Sequence, residues 1–155
     1  VLHQYADLLV ALYLVRPDTF RDRLEDFLSR HEGERTWRST HGRSYGPIVL
    51  LRGGRYEEAV RDLEMLLDFE DLITSKASAH YNLACAYAQW GESLEGRERA
   101  EKLERALDHL ETSVEHKWLD IGWMEQDRDL EPIRDTERYR RLAARVHAAL
   151  YPEDD

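Results

Sequence analysis

Apolar side chains recur at helical spacing along most of this 155-residue sequence, and this periodicity limits the fold more than any other feature. Between Tyr56 and Leu67, and again between Ala77 and Trp90, they repeat every three or four residues and so share one face of a helix. Four prolines and eight glycines interrupt the chain, and no alternating run of β-branched residues has the length of a strand. The sequence therefore predicts an all-α fold.

The composition fits one folded domain with a highly charged exterior. With 155 residues, 42% of them hydrophobic, the chain is long enough to bury one well-filled core and too short for two large ones. Charged residues make up 35% of the sequence, and the formal net charge of −10 argues against a protein that grips nucleic-acid phosphates. We therefore predict a single helical domain over residues 1–155 and no nucleic-acid partner, and the negative charge favours basic or neutral partners.

Two absences in the sequence narrow the class of protein further. The longest weakly charged stretch, residues 8–15, is far shorter than the roughly 20 residues that cross a bilayer, so no membrane segment is predicted. Cys85 is the single cysteine, which excludes an intrachain disulfide and a zinc site built from cysteines. A reducing, cytoplasmic location is the expectation that follows.

Caps and turn residues divide the first half of the chain into helices. Asp18 is placed to cap a helix that reaches about Arg30, and with the apolar stretch before it this helix should form a hairpin. We assign residues 1–36 to this N-terminal hairpin or cap. Further along, the pair Gly53-Gly54 ends the next helix, because glycine is favoured just after a helix C-terminus.

The second half contains a helix from about Ser75 that Gly91 should end, followed by a longer helix. The first turns of this longer helix, residues 97–105, are almost all charged and are expected to project into water. The elements then shorten, and the last helix should run over residues 136–150 with Asp135 as its cap.

Two segments of the chain are similar to parts of one repeat. Gly54-Arg-Tyr-Glu-Glu-Ala59 resembles the turn and second-helix start of a tetratricopeptide repeat, and Tyr81-Asn-Leu-Ala-Cys-Ala-Tyr-Ala-Gln-Trp-Gly91 resembles the first helix of another copy. Gly54 and Gly91 are 37 residues apart, close to the repeat's 34. The family's signature places in the second copy are taken by Leu83, Ala84, Tyr87, Gly91 and, on its second helix, Ala106 and Leu110.

The resemblance covers residues 43–146 and implies a short right-handed α-α superhelix. Ala106 comes fifteen residues after Gly91, where the family has about five, so the hairpin of the second copy is extended. Residues 123–142 resemble the degenerate C-terminal end of many bacterial tetratricopeptide proteins. We therefore expect two repeats within residues 37–118 and short capping helices over 119–155.

In this family the first helices of successive repeats line a concave groove that holds a peptide or a partner helix. The resemblance thus implies a protein-interaction module, a scaffold or regulatory domain without enzymatic activity or cofactor. Its partner would be another protein or another domain of a longer chain. Carried over to this sequence, the groove positions are Ser44, Ile48, Arg52, Tyr81, Asn82, Cys85 and Gln89.

Two other classes of function stay open. A small enzyme, or a fragment of one, would use His80 and Cys85, although a free cysteine at a small helix position is more often a buried hydrophobe. Alternatively, the apolar first helix would bury itself against a second copy, which would make the chain a self-assembly module or homodimer.

From the sequence, the histidines and the C-terminal arginines are assigned structural roles and not ligand-binding ones. His109 and His116 are seven residues apart, and no histidine pair has the spacing that one ion needs, so no metal site is predicted. The arginines near the C-terminus could bind an acidic ligand, but a solvated helix face over a core stripe is the preferred interpretation. They are Arg134, Arg138, Arg141 and Arg145.

Overall fold

Every regular element that the structure describes is helical. The computed structural model describes residues 8, 9, 12, 16–30, 50–67, 76–117 and 120–152. The prediction of an all-α fold is confirmed over these ranges. Two of the predicted groove positions, Ser44 and Ile48, lie outside the described residues.

The helix bounds follow the apolar periodicity to within about two residues. They are α1 Pro17–Arg30, α2 Tyr56–Leu67, α3 Lys76–Glu92, α4 Gly96–Glu115, α5 Ile121–Gln126, a 3-10 helix Arg128–Leu130, α6 Glu131–Arg134 and α7 Glu137–Leu150. The chain forms two compact units, residues 1–62 and residues 63–155. Among the residues placed by the structure, no helix is long and apolar enough to cross a membrane.

A glycine turn in the first unit confirms one predicted helix end. Residues 50–52 are helical, and Gly54 adopts a φ of 73°, in the left-handed region that favours glycine. The Arg55 amide donates to the Leu50 carbonyl at 2.8 Å, and the Gly54 amide donates to the Leu51 carbonyl at 3.0 Å. This paired bonding closes the helix C-terminus before α2 begins at Tyr56.

The second unit is built around an antiparallel hairpin of α3 and α4, which form its most extensive helix contact. Small side chains allow the two backbones to approach, since Ala84, Ala88 and Ala106 are fully buried. The buried Ser113 hydroxyl donates to the Ala77 carbonyl at 2.8 Å, which satisfies this polar side chain within the core. The hydrogen bond also fixes the register of α4 against α3.

Gly91 serves a different purpose from the predicted helix stop. It lies inside the last turn of α3, which continues to Glu92. A Cβ added there would lie 2.7 Å from Leu103 Cδ2 and 3.3 Å from the Arg99 carbonyl oxygen. The absence of a side chain therefore lets the first turns of α4 pack against the end of α3.

The C-terminal elements pack onto this hairpin through a continuous set of apolar side chains. The 3-10 helix and α6 contact α3, while α7 contacts α4, α5 and α6. The buried residues of these elements are Ile121, Met124, Leu130, Ile133, Tyr139, Leu142 and Val146. They form the C-terminal part of the core of the second unit.

The cap of α7 is Thr136, and the prediction of Asp135 was wrong by one residue. Thr136 has extended backbone angles, and its hydroxyl accepts a hydrogen bond from the Tyr139 amide. Asp135 instead has helical angles and forms the C-terminal boundary of α6. Only Asp135 and Thr136 lie between α6 and α7, so Asp135 ends one helix and Thr136 caps the start of the next.

Candidate functional site

The predicted groove residues of the second copy lie on α3, and residues 127–129 of the same unit cover the face with Tyr81, Cys85 and Gln89. Tyr81 is 3% exposed and Cys85 is 5% exposed, while Asn82 and Gln89 are half-buried. Arg52 is an exposed residue of the first unit. The structure thus brings Tyr81, Cys85 and Gln89 together against one C-terminal segment.

Asp127 is the centre of this cluster. Its Oδ2 accepts a hydrogen bond of 2.8 Å from the Tyr81 hydroxyl, and the Cys85 Sγ lies 3.7 Å from the same oxygen. Its Oδ1 accepts from the Asp129 amide at 3.0 Å and so caps the 3-10 helix. Both carboxylate oxygens therefore have donors inside the protein.

Backbone groups of the same segment are bound as well. The Gln89 Nε2 donates to the Asp129 carbonyl at 3.3 Å, and the Arg134 Nη2 donates to the Asp127 carbonyl at 2.6 Å. Burial, with the nearby Cys85 thiol and Asp127 carboxylate, raises the pKa of the Tyr81 hydroxyl. The hydroxyl consequently remains a protonated donor at neutral pH.

These contacts hold the C-terminal segment against α3. A ligand would reach Tyr81 or Cys85 only after displacing residues 127–129. Cys85, Asp127 and Asp129 each place one potential metal-ligating atom within 4.8 Å of the others. The hydrogen bonds to both oxygens of Asp127 account for this geometry without an ion.

A histidine pair that the sequence spacing did not predict lies across the α3–α4 hairpin. The Nδ1 atoms of His80 and His109 are 2.9 Å apart, and the rings are stacked with centroids 5.2 Å apart. His116 also stacks on His80, with nearly parallel rings and a centroid distance of 5.8 Å. The His80 Nδ1 thus has a histidine neighbour, whereas the Cys85 thiol faces Asp127.

The surroundings of this pair favour neutral imidazoles. Burial lowers the pKa of His80 below its ordinary value, and the charges of His116 and Lys76 lower it further. Burial also lowers the pKa of His109, with His80 as the next cause. Two neutral rings can share one hydrogen bond, with one Nδ1–H donating to the lone pair of the other.

An aromatic contact links the histidine pair to α2. The Tyr87 ring stacks on His109 with centroids 5.5 Å apart, and the Tyr87 hydroxyl donates to Glu64 Oε1 at 3.0 Å. Burial, followed by the hydrogen bond to Glu64, raises the pKa of Tyr87 to about 12. The seven-residue spacing of His80 and Tyr87 puts both on one face of α3, but it does not show which residues lie opposite them.

An open groove of about 290 Å³ lies between α4 and α7. The buried Leu107 and Leu142 form part of its wall. Its charged lining residues are Glu111, Arg138, Arg141 and Arg145.

The arginines of the groove differ in how firmly they are held. Arg138 bonds three carboxylates of α4, Glu104 at 3.0 Å, Asp108 at 2.7 Å and Glu111 at 2.8 Å. Arg141 and Arg145 are 70% and 53% exposed and pair with Glu137 at 3.1 Å and Glu111 at 3.8 Å. Arg134, predicted to share their side of the last helix, belongs to α6 and binds the Asp127 carbonyl.

Neither a scan against models of known families nor searches of curated proteins and of solved structures give a match for this chain.

Proposed function

We propose that this chain is a protein-interaction module, built from helical hairpins of the tetratricopeptide type, that binds an acidic segment of another protein or of a longer chain. The groove between α4 and α7 is the observation that carries the proposal, because it presents two well-exposed guanidinium groups beside the edges of Leu107 and Leu142. We assign it no enzymatic activity.

The packing of the α3–α4 hairpin supports the choice of this class. The positions of the family signature on these helices are occupied by buried side chains, with Ala84, Ala106 and Leu110 fully buried. In helical repeats, alanines at these positions allow neighbouring helices to touch, and the exposed helix surfaces are left for binding. The short C-terminal helices then act as a closing element for the stack.

The binding surface we propose differs from the concave groove that the family resemblance implies. The α3 face with Tyr81, Cys85 and Gln89 is occupied by the chain's own residues 127–129. We therefore place the binding surface elsewhere in the second unit, where α4 meets α7.

The chemistry of the groove favours a partner that supplies carboxylates beside an apolar side chain. Arg138 is already neutralised by α4, whereas the exposed pair between Arg141 and Glu137 contributes little stability and can exchange its carboxylate. Guanidinium groups bind carboxylates in a bidentate geometry, which gives the contact direction as well as charge. An acidic amphipathic segment meets both requirements, with the local charge of Arg141 and Arg145 acting against the chain's net charge of −10.

A peptide-binding experiment tests this function. Fluorescence anisotropy of labelled acidic peptides that contain one Leu or Phe should detect binding to the full chain. The double variant Arg141→Glu/Arg145→Glu should weaken it about tenfold or more. Arg140→Glu is the control for Arg141→Glu alone, which changes the net charge by the same two units, because Arg140 is exposed on the same helix but does not line the groove.

Two outcomes would contradict the proposal. Equal weakening by Arg140→Glu would show a general charge effect, and unchanged binding in the double variant would place the partner elsewhere. Sedimentation of the free chain tests the alternative of self-assembly, since a stable dimer would sediment with twice the monomer mass.

A further inference from the structure

One carboxylate of the groove between α4 and α7 is divided between two arginines. The Oε2 atom of Glu111 accepts a hydrogen bond of 2.8 Å from Arg138 Nη2, and its Oε1 atom lies 3.8 Å from Arg145 Nη1. Glu111 lines the groove, and its side chain is 39% exposed. Because α4 carries Glu111 and α7 carries both arginines, this carboxylate connects the two helices that form the groove.

The two contacts of Glu111 differ in strength. Charge-assisted hydrogen bonds of about 2.8 Å are strong, and the Arg138 guanidinium that donates this one also binds Asp108 at 2.7 Å. The contact with Arg145 is longer than a hydrogen bond, and the Arg145 side chain is 53% exposed, so this ion pair contributes little stability. Arg138 therefore anchors Glu111, which holds Arg145 only loosely.

We infer that Glu111 is an internal competitor for the acidic partner, a carboxylate that occupies Arg145 in the free chain and limits the affinity of the groove. This inference rests on the proposed function. A partner carboxylate that binds Arg145 replaces a 3.8 Å contact with a bidentate one. Glu111 stays bound to Arg138, so it remains a like charge beside the incoming carboxylate and opposes its binding.

The position of Glu111 distinguishes it from the other carboxylates that pair with these arginines. Glu104 also binds Arg138, at 3.0 Å, but it does not line the groove. Glu137 pairs with Arg141 from a side chain that is 81% exposed, and it is not part of the lining either. Of the groove-lining residues that the structure describes, Glu111 is the acidic one, so its charge acts directly on a bound segment.

The test is a gain of affinity in the full chain. Fluorescence anisotropy with the labelled acidic peptide that contains one Leu should show about three- to tenfold tighter binding to Glu111→Gln at low salt. The gain should shrink at 1 M NaCl, because salt screens exposed charges. Tighter binding cannot result from a loss of the fold, so a structural effect of the substitution does not imitate the expected result.

Glu104→Gln is the matched control. It removes the same charge from the same helix and also takes one carboxylate from Arg138, but Glu104 does not line the groove. The control should change the affinity less than about twofold. A second comparison tests the role of Arg145, since in an Arg145→Gln background the substitution Glu111→Gln should lose most of its effect.

Three results would overturn the role of Glu111 and leave the proposed function intact. They are unchanged affinity in Glu111→Gln, an equal gain in Glu104→Gln, and a full gain that persists without Arg145, each with peptide binding that Arg141→Glu/Arg145→Glu still weakens. A failure of the proposed function is distinguishable from these. In that case the acidic peptide binds neither the unmodified chain nor Glu111→Gln, and the inference is contradicted together with the function on which it rests.

Discussion

The Tyr81 hydroxyl donates a 2.8 Å hydrogen bond to Oδ2 of Asp127, which ties the middle of α3 to the residue that caps the 3-10 helix. The two residues are 46 positions apart in the chain. This bond and the Gln89 contact with the Asp129 carbonyl fix the C-terminal segment in place. The α3 face is therefore part of the folded core of the second unit.

Removal of this hydrogen bond should lower stability. Tyr81→Phe keeps the ring but leaves Asp127 without one donor, so the free energy of unfolding should fall by about 1–1.5 kcal/mol. Asp127→Ala should cost more, about 2–3 kcal/mol, because it also removes the cap on the Asp129 amide. Urea titration measures both. Tyr151→Phe, at a residue 62% exposed, is the control and should leave the urea midpoint unchanged.

A methyl group at Gly91 should separate α3 from α4. Gly91→Ala places a Cβ 2.7 Å from Leu103 Cδ2 and 3.3 Å from the Arg99 carbonyl oxygen, and overpacking of this kind costs about 1–3 kcal/mol. Alanine's helix preference of about 0.5–1 kcal/mol offsets part of this cost, so a smaller net loss is expected. Gly122→Ala is the matched control, because the nearest atom to its added Cβ is 3.8 Å away. Since alanine favours helix over glycine, the control should gain about 0.5–1 kcal/mol. Thermal unfolding that lowers both variants equally would contradict the close approach.

Stability should depend on pH through His80 and His109. Both have a pKa lowered in the folded state, so between that value and the ordinary value of about 6.5 the unfolded chain binds more protons. The stability contributed by the pair is therefore complete above pH 6.5 and is lost as the pH falls toward the folded-state pKa. Double protonation would also set two Nδ1–H donors against each other.

The pH effect is measurable as the difference in urea midpoint between pH 7.5 and pH 5.5. This difference should be smaller in the double variant His80→Asn/His109→Asn than in the unmodified chain, and His147→Asn should not change it. The charged groups near the pair, His116, Lys76, Arg105, Glu64 and Asp108, remain in every variant and so cancel in the comparison. An equal difference in all variants would assign the pH dependence to other groups.

Helix positions could be predicted from the sequence because apolar spacing is a local signal. The bounds of α1, α2 and α3 follow it closely. Contacts between helices depend on register, which the spacing does not contain, and for this reason the His80–His109 pair was missed. The row Ala106, His109 and Ser113, spaced three and four residues apart, was the available signal for the face of α4 toward α3.

Whether the α3 face forms an open groove depends on where residues 127–129 pack, and the sequence pattern does not show this. Asp127 caps the 3-10 helix through one oxygen, and its second oxygen binds Tyr81, which lies 46 residues earlier in the chain. The charged first turns of α4 are largely exposed, as expected. They nevertheless contact α3 through Leu103 at Gly91 and through Lys102, whose Nζ lies 4.1 Å from the Trp90 ring centre.

Loss of the Arg138 guanidinium should weaken the attachment of α7 to α4. Its hydrogen bonds to Glu111 and Asp108 raise the pKa of Arg138, which marks it as a cation stabilised by this network. Arg138→Met keeps the aliphatic stem but leaves Glu104, Asp108 and Glu111 to repel one another at helical spacing. Arg138 is 33% exposed, so solvent screening limits the expected loss to about 1 kcal/mol at low salt.

The loss should shrink at 1 M NaCl, where the Debye length is about 3 Å. Arg141→Met, at an exposed i,i+4 pair, should change the urea midpoint little at either salt concentration. A loss for Arg138→Met that is the same at both salt concentrations would mean that packing of the stem, and not the ion pairs, joins α7 to α4.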